Sequence, residues 1–136
     1  MEPDDEQHAG EVLHRRGRRK AFTVQEMVDQ WSWLVGEVED GYSDLVDAYV
    51  NDLYSRNWLH EAWPVLTERA IIRWTPQVRA LDDRFRAATT FDDGICWAQF
   101  HRISRFDPVD MWWWRRHPRL LVGHFGRSLR AAGASD

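Results

Sequence analysis

From residue 22 onward, apolar residues recur with the period of a helix. Val24, Met27, Val28, Trp31, Leu34, Val35 and Val38 keep the i, i+3, i+4, i+7 spacing, which predicts an amphipathic helix with one apolar stripe. Thr23 followed three residues later by Glu26 is a capping-box pattern, and Phe22 is placed to staple onto Met27 across it. Gly41 supplies the stop. A second helix is predicted from Ser43–Asp44 to Arg56–Asn57, with Tyr42, Leu45, Val46, Tyr49, Val50 and Leu53 along one face. The short Gly41–Ser43 link makes the two an antiparallel hairpin over 22–56.

Beyond the hairpin the pattern is interrupted by proline. Trp58–Trp63 reads as a short turn and 65–74 as a helix. Thr75-Pro76 either restarts the chain as a cap and first helical residue or kinks one long helix. Val78, Leu81, Phe85 and Ala88 form the next stripe, and Thr89–Gly94 reads as a polar loop. Ile95–Phe106 fits either a helix or a short strand before the Asp107-Pro108 break. Met111–Trp114 has no period, and Leu120, Leu121, Phe125 and Leu129 predict a final helix weakened by Gly123 and Gly126.

Residues 1–20 carry dense charge of both signs and little to bury, so a disordered tail is expected there. The expected fold is therefore all-α. A single domain over 21–131 forms a compact bundle of four to five helices: the hairpin, central helices over 58–89, and a Trp/Arg-rich segment over 95–131. Trp31, Leu34, Val38, Leu45, Tyr49, Leu53, Leu66, Ile71, Leu81 and Phe85 are the expected core. At 136 residues with 43% apolar content the chain is long enough for one such core. No apolar run approaches the ~18 residues of a membrane span, so no membrane partner is expected. The single Cys96 excludes an intrachain disulfide, and no charged-then-apolar leader opens the sequence; a cytoplasmic location is the expectation. Of the 18 basic residues only Lys20 is not Arg, a bias that suits a GC-rich bacterial genome.

Charge changes this picture more than composition does. Residues 21–55 hold eight acidic side chains (Glu26, Asp29, Glu37, Glu39, Asp40, Asp44, Asp47, Asp52) and no Lys or Arg, whereas residues 99–136 hold seven Arg against three Asp. An ordinary exposed helix mixes signs to gain i,i+4 pairs; this hairpin forgoes them and accepts self-repulsion. Asp40, Asp44 and Asp47 fall at i, i+4 and i+7, and with Tyr54 they are the candidate partner-binding residues. The competing structural role is a solvated face with Tyr42 and Tyr49 turned inward. Trp112, Trp113, Trp114, Arg115, Arg116 and Arg119 form a second candidate, either a stacking platform for nucleic acid or an interface. Three consecutive indoles cannot all face one core, so at least one is expected at the surface or under an Arg. Alternatively the basic tail folds back on the acidic hairpin, with the indoles in the seam.

No catalytic or metal signature is present. His8, His14, His60, His101, His117 and His124 form no pair with zinc spacing, and His60-Glu61 lacks the second His of a zincin helix. The pairs Asp82-Asp83 and Asp92-Asp93 diverge on any helix, and no nucleophile triad or phosphate loop is legible. No enzyme activity, cofactor, catalytic residue or metal ligand is expected. In size, acidity and helical content the chain resembles immunity and antitoxin proteins, with no shared motif through which residue roles could be carried over. The expected function is a small non-enzymatic binding protein whose acidic hairpin masks a basic protein partner such as a toxin or nuclease. The alternatives are a nucleic-acid-associated accessory protein working through the Trp/Arg segment, or a subunit of a larger assembly that self-associates through its indoles.

Overall fold

The computed structural model describes residues 5–17, 22–98 and 111–134. The chain is dominantly helical: α1 (Asp5–Arg15), α2 (Val24–Asp40), α3 (Val46–Asp52), α4 (Tyr54–Ala62), α5 (Glu68–Ala87), α6 (Ile95–Ala98) and α7 (Gly123–Ala131), with single 3₁₀ turns at Trp63–Val65 and Trp112–Arg115. Two three-residue strands, β1 (Thr89–Phe91) and β2 (Arg116–Pro118), pair antiparallel with Thr90 opposite His117.

The first helix of the sequence stripe forms as its pattern requires. All seven stripe residues of α2 are buried. The Thr23 hydroxyl accepts the Glu26 amide at 3.1 Å while the Glu26 carboxylate accepts the Thr23 amide at 3.0 Å. Gly41 ends the helix at φ 107°, a left-handed geometry, and a side chain added there would meet Val122 at 3.3 Å. The central stretch also resolves. Pro76 lies inside a continuous 20-residue α5, and the Thr75 hydroxyl bonds the Ile71 carbonyl at 2.6 Å next to the interrupted ladder. Thr67, two residues past the preceding turn, caps α5 through the Ala70 amide.

Several expectations are corrected. The N-terminal segment is not wholly disordered: α1 docks by burying Ala9 and Leu13. Gly10 is the reason it can approach, since a Cβ there would lie 1.9 Å from the Phe22 carbonyl oxygen. The second predicted helix is two. Leu45 stays extended, so α3 begins at Val46, and the chain breaks at Leu53 before α4. Leu45 is consequently 58% exposed rather than in the core, and Ile71 is only half-buried. The fold is not purely helical, because Thr89–Phe91, read as loop, is β-branched and aromatic enough to pair with Arg116–Pro118. Ile95–Ala98 is helical; residues 99–106, the Asp107-Pro108 break, His101 and the basic run Arg18–Lys20 lie outside the described residues.

Arg56-Asn57, expected at a helix end, sits inside α4 and organises the core. Arg56 makes a bidentate pair with Asp82 of α5 (2.9 and 3.0 Å), and Asp82 also accepts the Trp31 indole N–H of α2 at 3.1 Å. The Arg56 guanidinium lies 4.4 Å from the Trp113 ring centre. The Asn57 carbonyl oxygen accepts two indole N–H groups, Trp113 at 2.6 Å and Trp114 at 2.9 Å. A second aromatic cluster joins α3, α6 and α7: Tyr49 stacks on Trp97 at 4.7 Å, and Phe125 packs on Tyr42 at 4.8 Å. Among the described residues no helix is long and apolar enough to cross a membrane.

Asn57→Leu fills the same space but strands two buried indole N–H groups. A loss of about 2–6 kcal/mol in chemical denaturation is expected, at roughly 1–3 kcal/mol per stranded donor. Asn57→Asp keeps the acceptor and should lose less; equal losses would show that the carbonyl is not what holds the indoles.

Candidate functional site

Four features of the molecule carry candidate chemistry. The first is the outer face of α2. Helical spacing sets Asp29, Trp33, Glu37 and Asp40 on one side, and all four are exposed, Trp33 to 55%. Gly36 beside them has open space where a side chain would stand. Trp33 is a residue the sequence reading passed over: it falls off the buried stripe, which was the available signal.

Asp40, Asp44 and Asp47 follow along the chain without sharing one helix. Asp40 closes α2, Asp44 lies in the connection with its carboxylate on the Leu45 amide (2.7 Å), and Asp47 is in the first turn of α3. All three are exposed, and none forms an ion pair among the described residues. Glu39 of α2 does pair, bidentate with Arg84 at 2.6 and 3.0 Å, and that hydrogen bond holds its carboxyl below the usual range.

The three tyrosines do not join that surface. Tyr42 and Tyr49 are buried, and Tyr54 is half-buried with its ring 6.0 Å from Phe22. The Tyr42 hydroxyl donates to Asp52 at 2.7 Å. Burial pushes the Asp52 carboxyl up, the negative charges of Asp44 and Glu37 add to this, and the Tyr42 hydrogen bond works against it.

The second feature is the Trp/Arg segment. A 3₁₀ turn advances about 120° per residue, so successive indoles diverge. Trp113 and Trp114 go into the core, and Trp112 stays half-exposed with the Arg86 guanidinium 3.9 Å from its ring centre. Two of the three indoles thus lie under an arginine, Trp112 under Arg86 and Trp113 under Arg56, and the two buried ones present no face to a nucleic-acid base. Arg115 pairs with Asp93 at 3.2 Å. Arg116 donates to the Thr89 hydroxyl and carbonyl and to the Arg86 carbonyl at 2.8–3.2 Å. Arg119 is exposed, with its amide on the Ala88 carbonyl at 2.9 Å. The tail does pack against the acidic segment, through Phe125 on Tyr42 and Tyr49, but Arg115 and Arg116 are engaged on the β1 side rather than with its acids.

The chain matches no protein family, no curated protein and no solved structure. Function must be argued from these surfaces alone.

The third feature is a cluster that no short spacing announces. Asp92, directly after β1, Cys96 in α6 and His117 in β2 bring one donor atom each to within 4.8 Å of one another. His117 Nδ1 lies 2.8 Å from Asp92 Oδ2 and 3.9 Å from Cys96 Sγ. Cys96 and His117 are buried. Burial and the neighbouring carboxylate push the Cys96 thiol up to about 12. Burial opposes the charged form of Asp92, but hydrogen bonds from His117, the Gly94 amide and Cys96 outweigh it and hold the carboxyl below the usual range. Thiol and carboxylate both address the same imidazole nitrogen. A nucleophile–base–orienter relay needs them on opposite nitrogens, so this is not a catalytic triad.

The fourth is a cavity of about 400 Å³ between α4 and α5, lined among others by His60, Trp63, Val78 and Arg79, with the Arg56–Asp82 pair at its wall. That pair is the hub of the core, so the cavity shares its polar wall with the packing described above.

Asp52→Asn should stabilise the protein at neutral pH. A carboxyl whose folded pKa is raised costs stability once ionised, and that cost disappears as pH falls through the raised value toward the ordinary one. The variant's gain in melting temperature is expected at pH 7 and should vanish in acid; a variant less stable than the wild type at pH 7 would contradict this.

Proposed function

We propose that this chain is a non-enzymatic binding protein: a compact helical bundle whose acidic antiparallel hairpin masks the basic surface of a protein partner, in the manner of an immunity protein or antitoxin. The observation that carries this reading is the set of exposed acids on α2, the α2–α3 connection and the start of α3, of which Asp40, Asp44 and Asp47 form no ion pair among the described residues, together with the exposed Trp33 between Asp29 and Glu37.

Exposed charge of one sign raises the rate of encounter with the opposite sign, and a rigid aromatic at the middle of the patch supplies buried contact area. Asp29, Glu37, Asp40, Asp44 and Asp47 provide the field; Trp33 is the anchor that a partner's apolar or guanidinium group covers. This replaces Tyr54 in the contact set, since its ring is engaged with Phe22. Masking is then occlusion: arginine or lysine side chains around the partner's working surface are paired and removed from water. A nucleic-acid reading, which draws on Trp112, Trp113, Trp114, Arg115, Arg116 and Arg119, is less well supported, because Trp113 and Trp114 are buried and Arg115 and Arg116 are engaged within the chain.

The test begins with capture from a nuclease-treated lysate of the native host, using the full chain as bait, followed by kinetics on the purified partner. A basic protein released by moderate salt is expected. Asp44→Lys with Asp47→Lys should slow association by about tenfold to a hundredfold and flatten its salt dependence. Trp33→Ala should chiefly accelerate dissociation and cost at least about 2 kcal/mol, as an interface anchor does. Unchanged binding by folded forms of both variants would remove this face from the mechanism.

A further inference from the structure

We propose that Asp92, Cys96 and His117 form a binding site for one divalent metal ion, zinc by the nature of the donors. The site is independent of the acidic face and serves to clamp the C-terminal strand to the segment that follows β1.

The donor set is the argument. An oxygen, a sulfur and an imidazole nitrogen, from three different elements, converge within 4.8 Å. Thiolate, imidazole and carboxylate together are the ligands of zinc, a borderline-soft ion, and not of calcium or magnesium, which take oxygen. Tetrahedral zinc sets nitrogen and oxygen ligands about 3.3 Å apart and nitrogen and sulfur about 3.6 Å apart, from metal–ligand lengths of roughly 2.0–2.3 Å. Here the corresponding separations are 2.8 and 3.9 Å, so small rotations of the Asp92 and Cys96 side chains open the space an ion needs.

Charge fits as well. A thiolate and a carboxylate neutralise a dication, which gives a net-neutral centre where two of the three ligands are buried. On binding, the ion displaces the Cys96 thiol proton to solvent, along with any proton on His117 Nδ1; no redox change is involved. The ligands are also pre-oriented. The Gly94 amide donates to Asp92 Oδ1 at 2.7 Å, which turns Oδ2 toward His117, and the Asp92 amide is held by the Arg115 carbonyl at 2.8 Å. Asp92 is the least buried of the three, its side chain 11% exposed, and marks the side from which an ion enters. The location has a mechanical use. A two-stranded sheet of three residues per strand is marginal alone, and the ion would tie both of its strands to α6.

The test is a cobalt(II) titration of the full, chelator-treated chain. Cys96 is the sole cysteine, so a thiolate-to-cobalt charge-transfer band in the near ultraviolet reports this site and no other. One equivalent is expected to produce the band together with intense visible bands of four-coordinate cobalt, and zinc should displace it. Zinc should also raise the melting temperature and move the His117 ring nitrogen resonances of the wild-type protein. Asp92→Asn and His117→Gln should each weaken cobalt binding at least tenfold, while His124→Gln, on the exposed face of α7, leaves it unchanged. Absence of the charge-transfer band at saturating cobalt overturns the proposal. So does a band accompanied by no movement of the His117 resonances on zinc addition, a wild-type measurement that holds even if a ligand variant fails to fold.

Discussion

The indole N–H groups of Trp113 and Trp114 meet in the core at one acceptor, the side-chain oxygen of Asn57, and the neighbouring Arg56 joins Asp82 and through it Trp31. Around this pair of adjacent polar residues α2, α4, α5 and the Trp-rich turn are fixed to one another. A domain of this size is stable by roughly 5–15 kcal/mol in total. Three buried indole donors, at about 1–3 kcal/mol each if stranded, amount to a comparable sum. Apolar burial alone would allow these tryptophans many packings; the requirement that the indole N–H groups of Trp31, Trp113 and Trp114 find acceptors selects among them. The C-terminal segment, separated from Asn57 by 56 residues, owes its place to that requirement.

What the sequence discloses follows the range of the forces involved. α2 is legible because its determinants are local: a capping box, a 3.6-residue stripe and a glycine stop within 19 residues of chain, all of them realised. Where the determinant is a distant contact, local patterns mislead. Asn57 looks like a helix terminator because Asn tolerates left-handed geometry, yet it is held in mid-helix by two indoles from the far end of the chain. The charged N-terminal stretch looks disordered because Ala9 and Leu13 are too few to form a core. They suffice to dock α1 on a core already formed, where Gly10 lets the backbones touch. Thr89–Phe91 becomes a strand only because Arg116–Pro118 is beside it.

The candidate sites divide along the same line. Segregated charge is a property of composition, so the acidic character of 21–55 was readable, and exposure of Asp40, Asp44 and Asp47 agrees with it. Their alignment was not readable, because the left-handed Gly41 and the extended Leu45 separate them onto two helices and a turn. The Asp92–Cys96–His117 cluster was invisible for a different reason: Cys96 and His117 are 21 residues apart, and it is the pairing of β1 with β2 that makes them neighbours.

Packing and charge in this molecule are separable, and that bears on function. The C-terminal segment contributes aromatic surface to the core through Trp113, Trp114 and Phe125, while Arg115 and Arg116 bond to Asp93, Thr89 and Arg86 on the β1 side. Had those same arginines reached the acids of α2 and α3, the tail would have closed the molecule's strongest field as it closed its core. Instead, self-repulsion along α2 is retained and offset elsewhere, by a full apolar stripe and a hydrogen-bonded indole network. A solvated helix face gains nothing from leaving its acids without counter-charges. On the proposed reading, a surface that meets a cationic one gains its encounter rate from that arrangement, and the exposed Trp33 would supply contact area that charge alone lacks.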